Sequence, residues 1–257
     1  MKNSTALIFA TILFSTAINA QLKTVKYSEG NTTLNGLSIK PAKKSSQNPG
    51  ILILPAWLGI DNASKGYAEN LSKLGYNVFI ADIYGEGNVP KNTTEAGKLA
   101  GFYKTNYEAY QKRINAALQE LIKSGANADN IVIIGYCFGG TGVLEAARAH
   151  LNVKGVVSFH GGLGKDASRK TEPITTKVLI CHGADDPYVS AEEVAACQQE
   201  MRDAKADWQM IYYADSVHSF TNPEAGNDNS KGAAYNAVAA KRSFEHLKLF
   251  LGEVLKK

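Results

Sequence analysis

Cysteine is scarce, at three in 257 residues, too few for the disulfide framework that holds small secreted folds together. Proline is scarce too, at seven, and no Gly- or Pro-rich linker separates two segments, so a single domain is the economical reading. A basic stripe is missing as well. The 28 Lys and Arg stand against 24 Asp and Glu, leaving a formal charge of +4, which argues for no nucleic-acid footprint. No apolar run reaches the roughly 20 residues that a bilayer span needs. The longest, Ala6 to Ala17, follows the positively charged start Met1-Lys2-Asn3 and precedes Asn19-Ala20 and polar Gln21-Leu22-Lys23. That order reads as a secretory signal peptide over residues 1–20, with cleavage after Ala17 as the second choice. Residues 21–257 are then expected to be exported, periplasmic or secreted, with no membrane attachment after signal cleavage, as a monomer or small homo-oligomer. Asn31, Asn62, Asn70 and Asn92 begin N-glycosylation acceptor patterns, relevant only in a host that glycosylates.

What is present is alternation. Short apolar runs at Ile51–Leu54, Val78–Ala81, Ile131–Ile134, Gly155–Phe159, Val178–Cys181 and Trp208–Tyr213 have the two-sided hydrophobicity of strands in a covered parallel sheet. Between them, 63–74, 107–124, 141–149, 191–205 and 231–255 carry apolar residues at three- and four-residue spacing, as helices packed on one face do. The pattern predicts one α/β domain, a mostly parallel sheet with helices on both faces. Residues 84–107 are expected to be irregular, because Gly85, Gly87, Pro90, Asn92 and Gly97 break any period. They would follow a strand end, where ligands bind in such sheets.

The chemistry is concentrated at three places. Directly after the run Ile131–Ile134 comes Gly135-Tyr136-Cys137-Phe138-Gly139-Gly140, a nucleophile elbow with cysteine in the serine position. Its glycines allow a strand to turn sharply into a helix without a Cβ in the way. The strand Val178–Cys181 leads into Gly183-Ala184-Asp185-Asp186-Pro187, offering a carboxylate at a strand end. Asp186 is the preferred acid and Asp185 its competitor. After the last strand, Asp215-Ser216-Val217-His218 puts a histidine on a loop, so nucleophile, acid and base occur in the chain order of this fold. The Phe138 amide is one candidate oxyanion donor. Trp57, in the loop after Leu54, is the second, with Leu58 as alternative. His150 and His246 read as solvated. His160 lies at a strand end, where a hydrogen-bonded structural role competes with lining the pocket. Cys181, in an apolar strand, and Cys197, in a helix, read as inert buried packing rather than as a bridged pair.

These pieces, with Leu54-Pro55-Ala56-Trp57-Leu58-Gly59, Ala81-Asp82-Ile83-Tyr84 and Val217-His218-Ser219-Phe220, make the chain resemble the dienelactone hydrolase family from about Thr33 to Leu255. The resemblance implies an α/β-hydrolase fold, a Cys137–His218–Asp186 triad, and hydrolysis of small esters or lactones through an acyl-thiol intermediate. It implies no metal and no organic cofactor. In the family's best-known members a glutamate stands where this chain has Ala56, and substrate-binding arginines stand where it has Glu86 and Asn222. Placed in the pocket, Glu86 would repel an anionic lactone, so neutral or cationic substrates are the expectation. The alternative from another class is a catalytically silent ligand-binding or interaction protein of the same fold.

Overall fold

The computed structural model describes residues 21–257; the signal-peptide reading of residues 1–20 lies outside them. Eight strands form one sheet in the order β1-β2-β4-β3-β5-β6-β7-β8. They are β1 (Lys23–Glu29), β2 (Thr32–Ile39), β3 (Gly50–Leu54), β4 (Asn77–Ile80), β5 (Ile131–Tyr136), β6 (Gly155–Phe159), β7 (Lys177–Gly183) and β8 (Trp208–Tyr213). β1 and β2 form an antiparallel hairpin, β2 runs antiparallel to β4, and every later pairing is parallel. This is the single-domain α/β-hydrolase architecture that the alternation and the resemblance lead one to expect.

The parallel strands read as continuous apolar runs because both faces are covered. Ile51 and Ile53 of β3 point into one core, whereas Leu52 and Leu54 point into the other. α1 (Asn62–Lys73) and α6 (Ala237–Val254) cover the first face. α2 (Thr93–Thr105), α3 (Tyr107–Lys123), α4 (Phe138–Arg148) and α5 (Ala191–Asp203) cover the second.

Two elements differ from the sequence expectation. Residues 23–39, where the alternation of apolar runs marks no strand, are the β1–β2 hairpin. The stretch expected to be irregular holds α2, whose first turn is capped by the Asn92 side chain accepting from the Glu95 amide. Asn92 therefore starts a helix rather than breaking one. Gly97 lies within it, where a Cβ would come 3.9 Å from the Trp57 ring. The ring thus lies across α2.

From β3 the chain passes to β4 on one side, then through α2 and α3 to β5 on the other. The carboxyl ends of β3 and β5 therefore bound a topological switch point, the place where ligands enter open α/β sheets.

Candidate active site

At that switch point β5 turns into α4 at Cys137, whose backbone sits at φ 54°, ψ −114°. Such a conformation costs a non-glycine residue of order 1–3 kcal/mol and persists only where surroundings enforce it. Here close packing enforces it. A Cβ on Gly135 would come 2.0 Å from the Gly139 carbonyl oxygen, and one on Gly139 would come 2.0 Å from that of Leu54. The turn is thus pressed against the end of β3, with Leu54 paired to Gly135 across the strands.

The acid and base come from the next strand ends. Asp186 follows β7 and is buried, whereas its competitor Asp185 is exposed. The Asp186 carboxylate accepts from the Tyr188 amide at 2.9 Å through Oδ1 and lies 2.9 Å from His218 Nδ1 through Oδ2. The loop carrying His218 after β8 is pinned twice: the His218 amide donates to the Gly232 carbonyl, and the His218 carbonyl accepts from the Ala234 amide. Tyr188 packs edge-on against the imidazole, ring centroids 5.4 Å apart.

His218 and the Cys137 thiol act on one another, each shifting the other's protonation. Burial alone would raise the thiol, but the hydrogen bond and charge of His218, the Phe138 amide and the Lys104 ammonium outweigh it and hold the thiol below its ordinary value. Burial likewise disfavours the imidazolium, yet the bonds to Asp186 and Cys137 raise His218 to about 10. The arrangement is a carboxylate, an imidazolium and a thiolate in series, which can deliver a sulfur nucleophile at neutral pH and return a proton afterwards.

Two hollows lie near this elbow, one of them lined by Cys137. A small one, of about 20 Å³, is lined by Cys137, Ala56, Tyr67, Tyr136, His160 and Asn222 among others. One turn along α4 begins a cavity of about 380 Å³, bounded by Lys104, Thr141, Gly162 and Glu193. His160 is buried, with its ring centroid 5.3 Å from that of His218 and its Nε2 2.8 Å from Thr221 Oγ1. Burial and the nearby His218 charge keep its pKa well below the usual imidazole range. Asn222 lines the small hollow, while its Oδ1 accepts from the Glu224 amide.

Of the two oxyanion candidates, the Phe138 amide helps to hold the Cys137 thiol low. Trp57 is half-buried, its carbonyl accepts from the Tyr84 hydroxyl at 2.8 Å, and its amide makes no backbone hydrogen bond among the described residues.

Glu86 requires a correction. It is exposed, lines neither hollow and pairs with Lys26 of β1 at 3.1 Å. Gly85 and Gly87, both at positive φ, turn the chain outward here, so the expected repulsion of anionic substrates loses its source. The charge that does reach Cys137 from outside the series is Lys104, which lies in the stretch read as irregular. Tyr84, Tyr188, Thr141 and Gly162 also lie near the site; Tyr84 and Tyr188 belong to the stretches that carry the resemblance, Ala81–Tyr84 and Gly183–Val189, whereas no short motif marks Thr141 or Gly162. Finally, His246 is partly exposed, and its Nδ1 lies 2.7 Å from the Tyr213 hydroxyl.

Cys181 and Cys197 are free and lie in the two cores on opposite faces of the sheet. Burial raises both thiols to about 12. Among the described residues no cluster of His, Cys, Asp and Glu has the geometry of a metal site, and no helix is long and apolar enough to cross a membrane.

Residues 34–255 match the model of the dienelactone hydrolase family. A probable 2-oxo-3-(5-oxofuran-2-ylidene)propanoate lactonase from Bradyrhizobium is 26% identical over 214 residues, covering 79% of this chain and 83% of its own. A carboxymethylenebutenolidase from Rhodococcus opacus is 22% identical over 200 residues, covering 73% and 76%. Among solved structures, a dienelactone hydrolase-like promiscuous phosphotriesterase from metagenomic libraries is 33% identical, with a TM-score of 0.87, over 93% of this chain and 100% of its own.

Proposed function

Because this chain belongs to the dienelactone hydrolase family, we propose that it is an exported hydrolase of small carboxylic esters or lactones acting through Cys137, His218 and Asp186. The observation that carries the mechanism is the Asp186–His218 hydrogen bond beside Cys137, with the thiol lowered and the imidazole raised. Export rests on the apolar leader of residues 1–20.

In the first half-reaction the Cys137 thiolate attacks the carbonyl carbon and a C–S bond forms. The carbonyl electron pair moves to oxygen, where the Phe138 and Trp57 amides donate to it. Collapse of the intermediate breaks the bond to the alcohol oxygen, which takes the proton from His218 Nε2; a lactone keeps this alcohol as part of the acyl chain. In the second, His218 removes a proton from water, the hydroxide attacks the thioester, and the carboxylic acid leaves as sulfur takes back its electron pair. Asp186 holds Nδ1 protonated throughout, so that Nε2 is the nitrogen that exchanges the proton.

The mechanism is tested with p-nitrophenyl acetate and the pair wild type and Cys137→Ala. Hydrolysis by the wild type alone is expected, together with an acetylated Cys137 peptide after rapid acid quench. Equal hydrolysis by both proteins would exclude the cysteine mechanism.

A further inference from the structure

Resting on that hydrolase reading, we infer that the space above Gly162 is a polar subsite that selects substrates carrying a neutral hydroxyl or amide group about one helical turn from the reacting carbonyl.

Three side-chain atoms of different character converge there. Around the point a Cβ on Gly162 would occupy stand Thr141 Oγ1 at 3.2 Å, Lys104 Nζ at 3.7 Å and Glu193 Oε1 at 3.8 Å. Thr141 donates its own hydrogen to the Gly162 carbonyl at 3.0 Å, so its oxygen is left to accept. Lys104 makes no ion pair among the described residues and can only donate. Glu193 is fixed by the Leu163 and Gly164 amides at 2.6 and 2.9 Å. Other charges on the wall of this cavity are already engaged: both Arg169 NH groups hold Glu145, at 2.8 and 2.9 Å, and the guanidinium lies 3.5 Å from the Tyr107 ring centroid.

The mixture decides the ligand class. A hydroxyl or amide accepts from Lys104 while donating to Thr141, leaving no charge against Glu193. A carboxylate gains Lys104 but meets the Glu193 carboxylate; an ammonium gains Glu193 but meets Lys104, and in a half-enclosed cavity a like charge costs binding. The subsite is also within reach of the chemistry. Thr141 lies four residues after Cys137 along α4, a rise of about 6 Å, so a five- or six-atom chain joins the two. The absence of a side chain at Gly162 is what leaves the room.

The test uses four p-nitrophenyl esters of one chain length: hexanoate, 6-hydroxyhexanoate, the adipate half-ester and 6-ammoniohexanoate. The readout is kcat/KM for each relative to hexanoate. In the wild type the hydroxyl ester is expected to lead by about tenfold, with both charged esters behind it. Gly162→Ala fills the space with nothing nearer than 3.2 Å, and Lys104→Met removes the donor; each should bring the hydroxyl ratio close to one. Melting temperature checks that Gly162→Ala folds, and Lys104→Met decides alone if it does not. A leading adipate ester, or a hydroxyl ratio unmoved by Lys104→Met, would overturn the subsite. Turnover of all four esters without preference sinks the subsite alone, whereas no turnover of any of them sinks the hydrolase reading with it.

Discussion

Asp186→Asn isolates what the carboxylate contributes to the sulfur. The Asp186 side chain is fully buried, and asparagine fills the same volume. Its carbonyl can keep the Tyr188 amide bond, which turns its NH2 toward His218 Nδ1 and leaves that nitrogen as an acceptor. The ring proton then sits on Nε2, facing a thiol it can no longer deprotonate. In the intact site His218 rises from 6.5 to about 10, corresponding to roughly 5 kcal/mol in favour of imidazolium at about 1.4 kcal/mol per decade. Two partners share it, and the Asp186 bond outranks the Cys137 bond. Assigning about half to Asp186 gives roughly 2.5 kcal/mol, or about a sixtyfold loss of thiolate at pH 6. The assay is the rate of iodoacetamide alkylation of Cys137 from pH 5 to 10. In the wild type the thiol is lowered and the imidazole raised, so the charged pair spans neutral pH. Its reactivity should be level there, fall only as acid protonates the sulfur, and change again near pH 10 as His218 loses its proton. In Asp186→Asn the rate should climb with pH like an ordinary thiol titrating near 8.5. Superimposable profiles would refute the reasoning and leave the Phe138 amide and Lys104 as sufficient to ionise the sulfur.

Two other changes follow from the packing and the surface. Gly139→Ala would put a Cβ 2.0 Å from the Leu54 carbonyl oxygen, backbone against backbone, so a loss above about 3 kcal/mol is expected by urea unfolding; a change under 1 kcal/mol would mean the elbow is not pressed against β3. Glu86→Arg breaks only an exposed pair with Lys26, so stability should move by less than about 1 kcal/mol. The relative rates on neutral, anionic and cationic esters should stay unchanged; a shift toward anionic esters would restore Glu86 to the pocket.

The legibility of the chain followed burial. β3, β5 and β7 lie between two layers of helices, so their apolar runs identify them without further context. The β1–β2 hairpin lies at the sheet edge, where β1 buries only Tyr27, and a one-sided edge strand gives a weak signal. α2 escaped for a related reason: Gly97 and Gly101 dilute its apolar face, although Asn92 followed three residues later by Glu95 is a capping signature that could have revealed it. The misplacement of Glu86 descends from the first of these misses. Its ion-pair partner, Lys26, belongs to the strand that the periodicity did not expose, so counting from Tyr84 gave its position in the chain but not its direction. By contrast, the structure brings Asp186 rather than Asp185 to His218, and each follows a strand that the sequence marks, β7 buried and β8 at the sheet edge.

The two histidines nearest the sulfur show why position alone is not enough. His160 and His218 follow the strands β6 and β8, and their rings meet edge to face at 5.3 Å, yet they titrate in opposite directions. Burial disfavours the charged form of both. His218 escapes because it bonds a buried carboxylate and is charged against a sulfur that can become an anion. Beside His160 stands only the neutral Thr221 hydroxyl, and the charge on His218 repels a second one. Charging one ring therefore keeps the other neutral. A neutral His160 lets the site hold one imidazolium against one thiolate and one carboxylate, with Lys104 as the remaining nearby cation. The division of labour is set by partners, a carboxylate for one ring and a hydroxyl for the other, and neither partner lies next to its histidine in sequence.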